Sequence, residues 1–363
     1  MIFEQAKQMF KEEAIRELAN DQDGLRYLKL RSLSRREYLE KLFQFVNVDT
    51  SGVGARQLFP MAYETSTINN EVIDTFIRSV YKSERNERLQ REPELINQLY
   101  RMQVFDWGGL HQNSLEKTIV NNYVKKIANY DLLSDKIENE LHSSLRGYVL
   151  CSWYNHWTSI IIEDVFRDHS VVLPAIGQVK KVDFFINNVP FDLKVTYLPE
   201  GYIRIKRRTQ GLRPELTLLK RSARRLNIVF DRRLASAKLL EDLWIKHKDH
   251  PSEEAQQLIR ELHEYRLSQL NQSCENPNEL ICWLYENQGE RRFDASNRLF
   301  LILVDTNNFF ESWKLKRAKP LLDEKVHSYL DEIGENPGRE VKFNWQGSEY
   351  SAVSDVVFVV HPQ

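Results

Sequence analysis

Apolar residues recur every three or four positions from the start of the chain: Phe3, Ala6, Phe10, Ala14 and Leu18 fall on one helical face. The same spacing in Tyr38, Leu39, Leu42, Phe43 and Val46 predicts another helix, with Ser34-Arg35-Arg36-Glu37 as its capping box. Loop-like stretches at 47–54 and 106–112 divide this region into several helices. Residues 1–140 are therefore expected to form a mainly helical N-terminal domain, whose apolar faces, such as Phe3, Phe10 and Leu18, could build a separate core or a dimer interface.

A further helix is predicted over 144–168, carrying Trp153, Trp157, Ile160, Ile161 and Phe166. The texture then changes. Short apolar runs at 171–176, 182–186 and 191–197 predict three strands. Residues 202–276 read as a highly charged, basic helical insertion, with one helix starting at Ser252-Glu253-Glu254. A helix over 278–288, stopped by Gly289, precedes apolar strands at 299–304 and 356–360. Residues 141–363 thus predict an α/β sheet with helices packed on it.

Composition narrows the possibilities. The chain has 363 residues, enough for one large or two modest domains, and a formal net charge of −1, so a nucleic-acid partner would have to be signalled by local charge. Cys151, Cys274 and Cys282 lack CxxC spacing, which argues against a zinc knuckle or a disulfide framework and predicts a reduced, cytoplasmic setting. Met1-Ile2-Phe3-Glu4-Gln5 lacks the basic and apolar regions of a signal peptide, and no apolar run approaches the roughly 20 residues of a membrane span. No membrane association is expected.

The chemistry concentrates in Val182-Asp183-Phe184-Phe185-Ile186-Asn187-Asn188-Val189-Pro190-Phe191-Asp192-Leu193-Lys194-Val195. Asparagine tolerates positive φ, so Asn187-Asn188 predicts a two-residue hairpin turn. Ile186 then faces Val189, Phe185 faces Pro190, Phe184 faces Phe191 and Asp183 faces Asp192, with Lys194 on the same face as Asp192. Opposed carboxylates repel unless a cation neutralises them. Hard oxygen donors suit Mg²⁺, which can polarise a phosphate and acidify a bound water, while a neighbouring lysine orients that water. Phosphodiester hydrolysis is the reaction these residue types fit.

The pattern Asp183 followed by Asp192-Leu193-Lys194 on adjacent strands resembles the PD-(D/E)XK nuclease superfamily, with Val182 standing where the name motif has proline. The resemblance covers about residues 145–200, with 279–304 consistent with the rest of the core. It implies a restriction-endonuclease-like mixed β-sheet core flanked by helices, and Glu163 as a third acid completing the metal shell. It also implies Mg²⁺-dependent cleavage of duplex DNA leaving 5′-phosphate ends. A stand-alone chain of this kind looks most like a type II restriction endonuclease acting as a homodimer. Relatives act in recombination, repair, transposition and other phage defence. The alternative from another class is a non-catalytic nucleic-acid-binding protein that keeps the fold.

Two similar tripeptides are less suited. Asp323-Glu324-Lys325 falls in a helical pattern where the three residues would not share a face, and Glu340-Val341-Lys342 lacks an apolar strand ending in an acid just upstream. A second signal is electrostatic: between Arg204 and Arg233 eleven Lys or Arg stand against only Glu215 and Asp231. A cationic patch beside the hairpin would neutralise phosphates, with Arg204, Lys206, Arg207, Arg208 and Arg213 as candidate nucleic-acid contacts.

Overall fold

The computed structural model describes residues 1–110, 114–287, 296–345 and 347–361. It opens with helices Phe3–Lys11 (α1), Ile15–Ala19 (α2), Gln22–Ser32 (α3), Arg36–Phe45 (α4), Ala55–Glu64 (α5) and Asn70–Tyr100 (α6). The periodicity anticipates helices here, but not their caps. Ser34 does not cap α4; its hydroxyl accepts from Arg31, and the helix begins after Arg35 with no side-chain cap. At α3 the Asp21 carboxylate accepts the Asp23 and Gly24 N–H groups at 3.0 and 2.9 Å, satisfying two donors that a helix start leaves open.

Leu115–Ile119 (α7) and Tyr130–Lys136 (α8) lead to the long helix His142–Arg167 (α9). The chain then forms Val172–Val179 (β1), Val182–Ile186 (β2) and Val189–Tyr197 (β3). The insertion follows as Glu200–Thr209 (α10), Glu215–Arg225 (α11), Ser236–Lys248 (α12) and Glu253–Glu275 (α13), with a small core of its own that includes Leu219, Leu239, Leu243, Trp244 and Leu262. Asn278–Asn287 (α14) returns the chain to the sheet as Arg298–Asp305 (β4); a 3₁₀ segment, Phe309–Arg317, then leads to Lys319–Asp331 (α15), Arg339–Trp345 (β5) and Ser348–His361 (β6). Gly289, the expected stop of α14, lies outside the described residues.

The strands form one six-stranded sheet in the order β1-β2-β3-β4-β6-β5. β2 runs antiparallel to its neighbours β1 and β3, while β3, β4 and β6 are parallel, and β5 closes the edge antiparallel to β6. A strand buried on both faces needs an unbroken apolar run, and β4 supplies one in Leu299–Val304. Its alternation divides the core: Leu299, Leu301 and Leu303 pack with Ile162 and Phe166 of α9 and Val326 of α15, whereas Phe300, Ile302 and Val304 pack with Leu280, Ile281 and Leu284 of α14. The architecture is mixed α/β with helices on both faces of the sheet.

The N-terminal helices do not keep a core to themselves. Leu25, Leu28, Phe43, Ile73 and Ile77 share one cluster with Leu173, Ala175, Val182 and Phe185 of β1 and β2. Phe3 and Leu18 are buried in it and Phe10 packs against it, so these three side chains build the interior and not a face left over for a second copy. Two contacts fasten the layers. A side chain on Gly177 would stand 2.6 Å from the Ser32 carbonyl oxygen, so only glycine lets α3 approach β1 this closely. Buried Lys29 reaches from α3 to Asp74 of α6 and to Asn188 Oδ1 of the β2–β3 turn, at 2.9 and 2.8 Å. No helix among the described residues is long and apolar enough to cross a membrane.

Candidate active site at the β2–β3 hairpin

Asn187 and Asn188 have φ of 48° and 69°, the pair of positive angles that a two-residue type I′ turn demands. The register follows: Ile186 pairs with Val189, Phe185 with Pro190 and Phe184 with Phe191. Pro190 falls at a position whose N–H the hairpin ladder does not need, which is where a strand tolerates proline. These three pairs are the expected ones. The fourth, Asp183 with Asp192, lies beyond the end of the ladder. The next hydrogen-bonded rung would use the Leu193 N–H, but Asp183 Oδ2 takes that proton at 2.7 Å. The two strands part there, and β3 continues by pairing Asp192–Tyr197 with Arg298–Leu303 of β4.

The point where the strands part, flanked by the two acids, is the notch of this site. Asp192, 9% exposed, points Oδ1 at Lys194 Nζ, 2.5 Å away. Arg298 Nε lies 3.8 Å from Asp192 Oδ2, its guanidinium 4.9 Å from the centre of the Tyr285 ring. Burial pushes the Asp183 carboxyl above its ordinary value; the Leu193 N–H opposes that rise, and the negative charge of Asp192 adds to it.

α9 brings in the third acid. Glu163 pairs with Arg167 one turn later at 2.8 Å, and Arg167 also donates to the Asp183 carbonyl oxygen at 3.1 Å. That carbonyl is available because the β1–β2 register shifts between Pro174 and Val179, leaving Asp183 without a partner in β1. Burial raises the Glu163 carboxyl, the Arg167 charge opposes this, and the Asp183 charge reinforces it. Asp164, next to Glu163 in the chain, is turned elsewhere by the helix. Asp164 faces α6, where it accepts from Arg88 Nε and Nη2 at 2.8 Å each.

Asp183, Asp192, Lys194 and Glu163 are thus gathered at one end of the hairpin. Asp323-Glu324-Lys325 lies in helix α15 and Glu340-Val341-Lys342 on the edge strand β5. Two site residues escaped the sequence reading. Arg167 was signalled by its spacing of four from Glu163, and Arg298 by being a lone charge at the head of an apolar strand. Comparison of the chain with family models, curated proteins and solved structures finds no match.

The donor set suits a hard divalent cation. Asp183 Oδ2 and Asp192 Oδ1 each accept from a protein donor and Asp192 Oδ2 lies near the Arg298 guanidinium, and Mg²⁺ is commonly held by one or two carboxylates with water and phosphate completing the shell. Among the described residues no three of His, Cys, Asp and Glu converge closely enough to hold a metal by themselves. Glu163 is directed at Arg167, a placement that departs from the expected third ligand.

The basic candidates divide. Arg207 is 6% exposed, donates to the Arg213 carbonyl oxygen at 2.7 Å and lies 4.6 Å from the centre of the Tyr265 ring. Its expected surface contact with nucleic acid is corrected to an internal one. Lys206 pairs with Glu279 at 2.8 Å. Arg204 and Arg208, one turn apart on α10, line a cleft of about 380 Å³ shared with Pro214, Thr217 of α11 and Ser236 of α12. Arg213 is exposed.

Proposed function

We propose that this chain is a Mg²⁺-dependent endonuclease that hydrolyses the phosphodiester bonds of DNA on a restriction-endonuclease-like core, cutting specific sites as type II restriction enzymes do. One observation carries the reading: at the end of an otherwise apolar hairpin the ladder opens, and Asp183, Asp192 and Lys194 meet at the opening. A structural hairpin has no use for two covered acids side by side, the charge of Asp192 adding to the raised proton affinity of Asp183. Asp183 and Asp192 would hold the ion, which when bound polarises the scissile phosphate and acidifies water. Lys194 is exposed, and its ammonium beside Asp192 orients the attacking water and offsets negative charge as the phosphate is attacked. Arg204 and Arg208 would meet backbone phosphates.

Each chain has one such notch and would cut one strand, so duplex cleavage calls for two chains related by the two-fold symmetry of a short DNA site. The test uses long DNA of mixed sequence, incubated with the protein with and without Mg²⁺, beside the Asp192→Asn variant. Discrete fragments with 5′-phosphate ends are expected from the wild type with metal only. Equal cutting by Asp192→Asn, or cutting with the metal chelated, would reject the assignment; a protein that binds DNA without cutting it would be the non-catalytic alternative. Light scattering of the protein on DNA reads the number of chains.

A further inference from the structure

The geometry points to Arg167 as the resident second cation of this site, so that the chain takes up one divalent ion, at Asp183 and Asp192, and none at Glu163. The inference rests on the metal-dependent reading above and deepens it. Arg167 Nη2 stands 2.8 Å from Glu163 Oε2 and donates to the Asp183 carbonyl oxygen at 3.1 Å. One guanidinium nitrogen therefore links the third acid to the strand that carries the first. Both partners sit in the last turns of α9, where a rigid helix fixes the spacing of four and the helix dipole favours a cation. Their side chains are largely covered, at 18% and 29% exposure, and a covered carboxylate needs a permanent counter-charge. A guanidinium keeps its proton at any working pH, which a lysine in such surroundings would not be certain to do.

Charge balance supports the same conclusion. Three acids, Glu163, Asp183 and Asp192, already face Arg167 and Lys194, with Arg298 within 3.8 Å of Asp192. One divalent ion leaves room for the anionic phosphate, whereas a second would make the site strongly over-positive. A divalent ion at Glu163 would stand beside the guanidinium already paired with its Oε2, and the two positive charges repel. Arg167 is a positioning residue: it fixes Glu163 and the Asp183 backbone.

The test is calorimetric titration of Mn²⁺ into the full chain, alone and with a short DNA duplex, which reads metal binding independently of cleavage. The wild type should bind one ion per chain. Glu163→Gln, which keeps an acceptor for Arg167, should change the affinity by less than about threefold, whereas Asp192→Asn should weaken it by about tenfold or more. Arg167→Gln frees Glu163 and should let a second Mn²⁺ bind. Should that variant fold poorly, Glu163→Gln alone carries the comparison. Two ions on the wild type, or a loss from Glu163→Gln as large as that from Asp192→Asn, would overturn the inference while leaving a metal site standing. No Mn²⁺ bound by the wild type under either condition would overturn the metal-dependent reading itself.

Discussion

Asp183 Oδ2 accepts the Leu193 N–H at 2.7 Å, the donor that would otherwise close the next rung between β2 and β3. One carboxylate therefore both ends the ladder and edges the notch beside Asp192. The two roles are separable by substitution. Asp183→Asn keeps an oxygen acceptor for Leu193, so it should fold and melt like the wild type or slightly above it, yet lose cleavage. Asp183→Ala strands the half-buried N–H, and where an unsatisfied donor is fully buried the cost is about 1–3 kcal/mol, an upper bound here. It should lose both cleavage and stability. Thermal melts beside a cleavage assay make the comparison, and a cutting Asp183→Asn enzyme would exclude Asp183 from the chemistry.

A second prediction concerns pH. Burial raises the Asp183 and Glu163 carboxyls above their ordinary values. A raised acid holds its proton more tightly in the folded chain than in the unfolded one. Its stabilising effect is full below the unfolded value, about pH 4, and is lost as pH rises through the raised folded value. Metal-free Asp183→Asn should therefore exceed the wild type in melting temperature near pH 7, with the gap closing towards pH 4. Mg²⁺ should reverse the order at pH 7 by stabilising only the chain with both acids. An advantage for Asp183→Asn that grows on acidification would contradict the assigned shift.

Lys194 gives a third. Its ammonium lies 2.5 Å from Asp192 Oδ1 and is otherwise exposed. Only the lysine end of this pair is exposed, but Arg298 stays within 3.8 Å of Asp192 when the ammonium is removed, so Lys194→Ala should melt close to the wild type. Loss of a donor aimed at developing charge costs about 10²–10³ in turnover. Single-turnover cleavage should slow by that factor with DNA affinity preserved. A melting temperature lowered in step with activity would make the lysine a structural residue.

The hairpin was legible because its determinants are local. Two adjacent asparagines with positive φ set a two-residue loop, and the loop sets the register of everything that follows. The opening at Asp183 was not legible, because a side chain there outcompetes a backbone carbonyl, and period-two patterning carries no information about that competition. Nor was the second partner of Arg167, which depends on a register shift in β1. The burial of Arg207 was hidden by the charge run around it. Only its spacing of four from Ile203, which faces the core, could have revealed it. The sharing of one core by the N-terminal helices and β1 is a long-range choice that helical periodicity leaves open.

The fourth prediction tests what holds α9 in place. Arg85 of α6, 4% exposed, donates to Asp168 at 3.0 Å and to Glu92 at 2.6 Å, and lies 3.5 Å from Asp164. Removing one member of a buried ionic cluster leaves the others uncompensated, a loss of about 3–5 kcal/mol. Arg85→Ala should shift the urea midpoint accordingly. Arg36→Ala, which breaks the exposed pair with Glu40 at 2.7 Å, should cost under about 1 kcal/mol. Equal midpoints for the two variants would show that the α6–α9 cluster contributes nothing beyond a surface pair.

The last prediction separates the arginines of α10 by where they point. Arg204 and Arg208 line a cleft, whereas Arg207 is turned inward onto Tyr265 and the Arg213 carbonyl. A side chain that neutralises a phosphate releases condensed counterions, so each lost contact should lower the slope of log affinity against log salt by about one. Arg204→Ala and Arg208→Ala should each weaken DNA binding, flatten the salt dependence by about that amount and leave the melting temperature unchanged. Arg207→Ala should do the reverse: a lower melting temperature from lost packing and a stranded carbonyl, with the salt slope intact in the fraction that stays folded. Binding measured by fluorescence anisotropy across a salt series, beside thermal melts, reads both. If Arg204→Ala and Arg208→Ala leave the slope unchanged, the cleft faces solvent and DNA approaches the notch from another side.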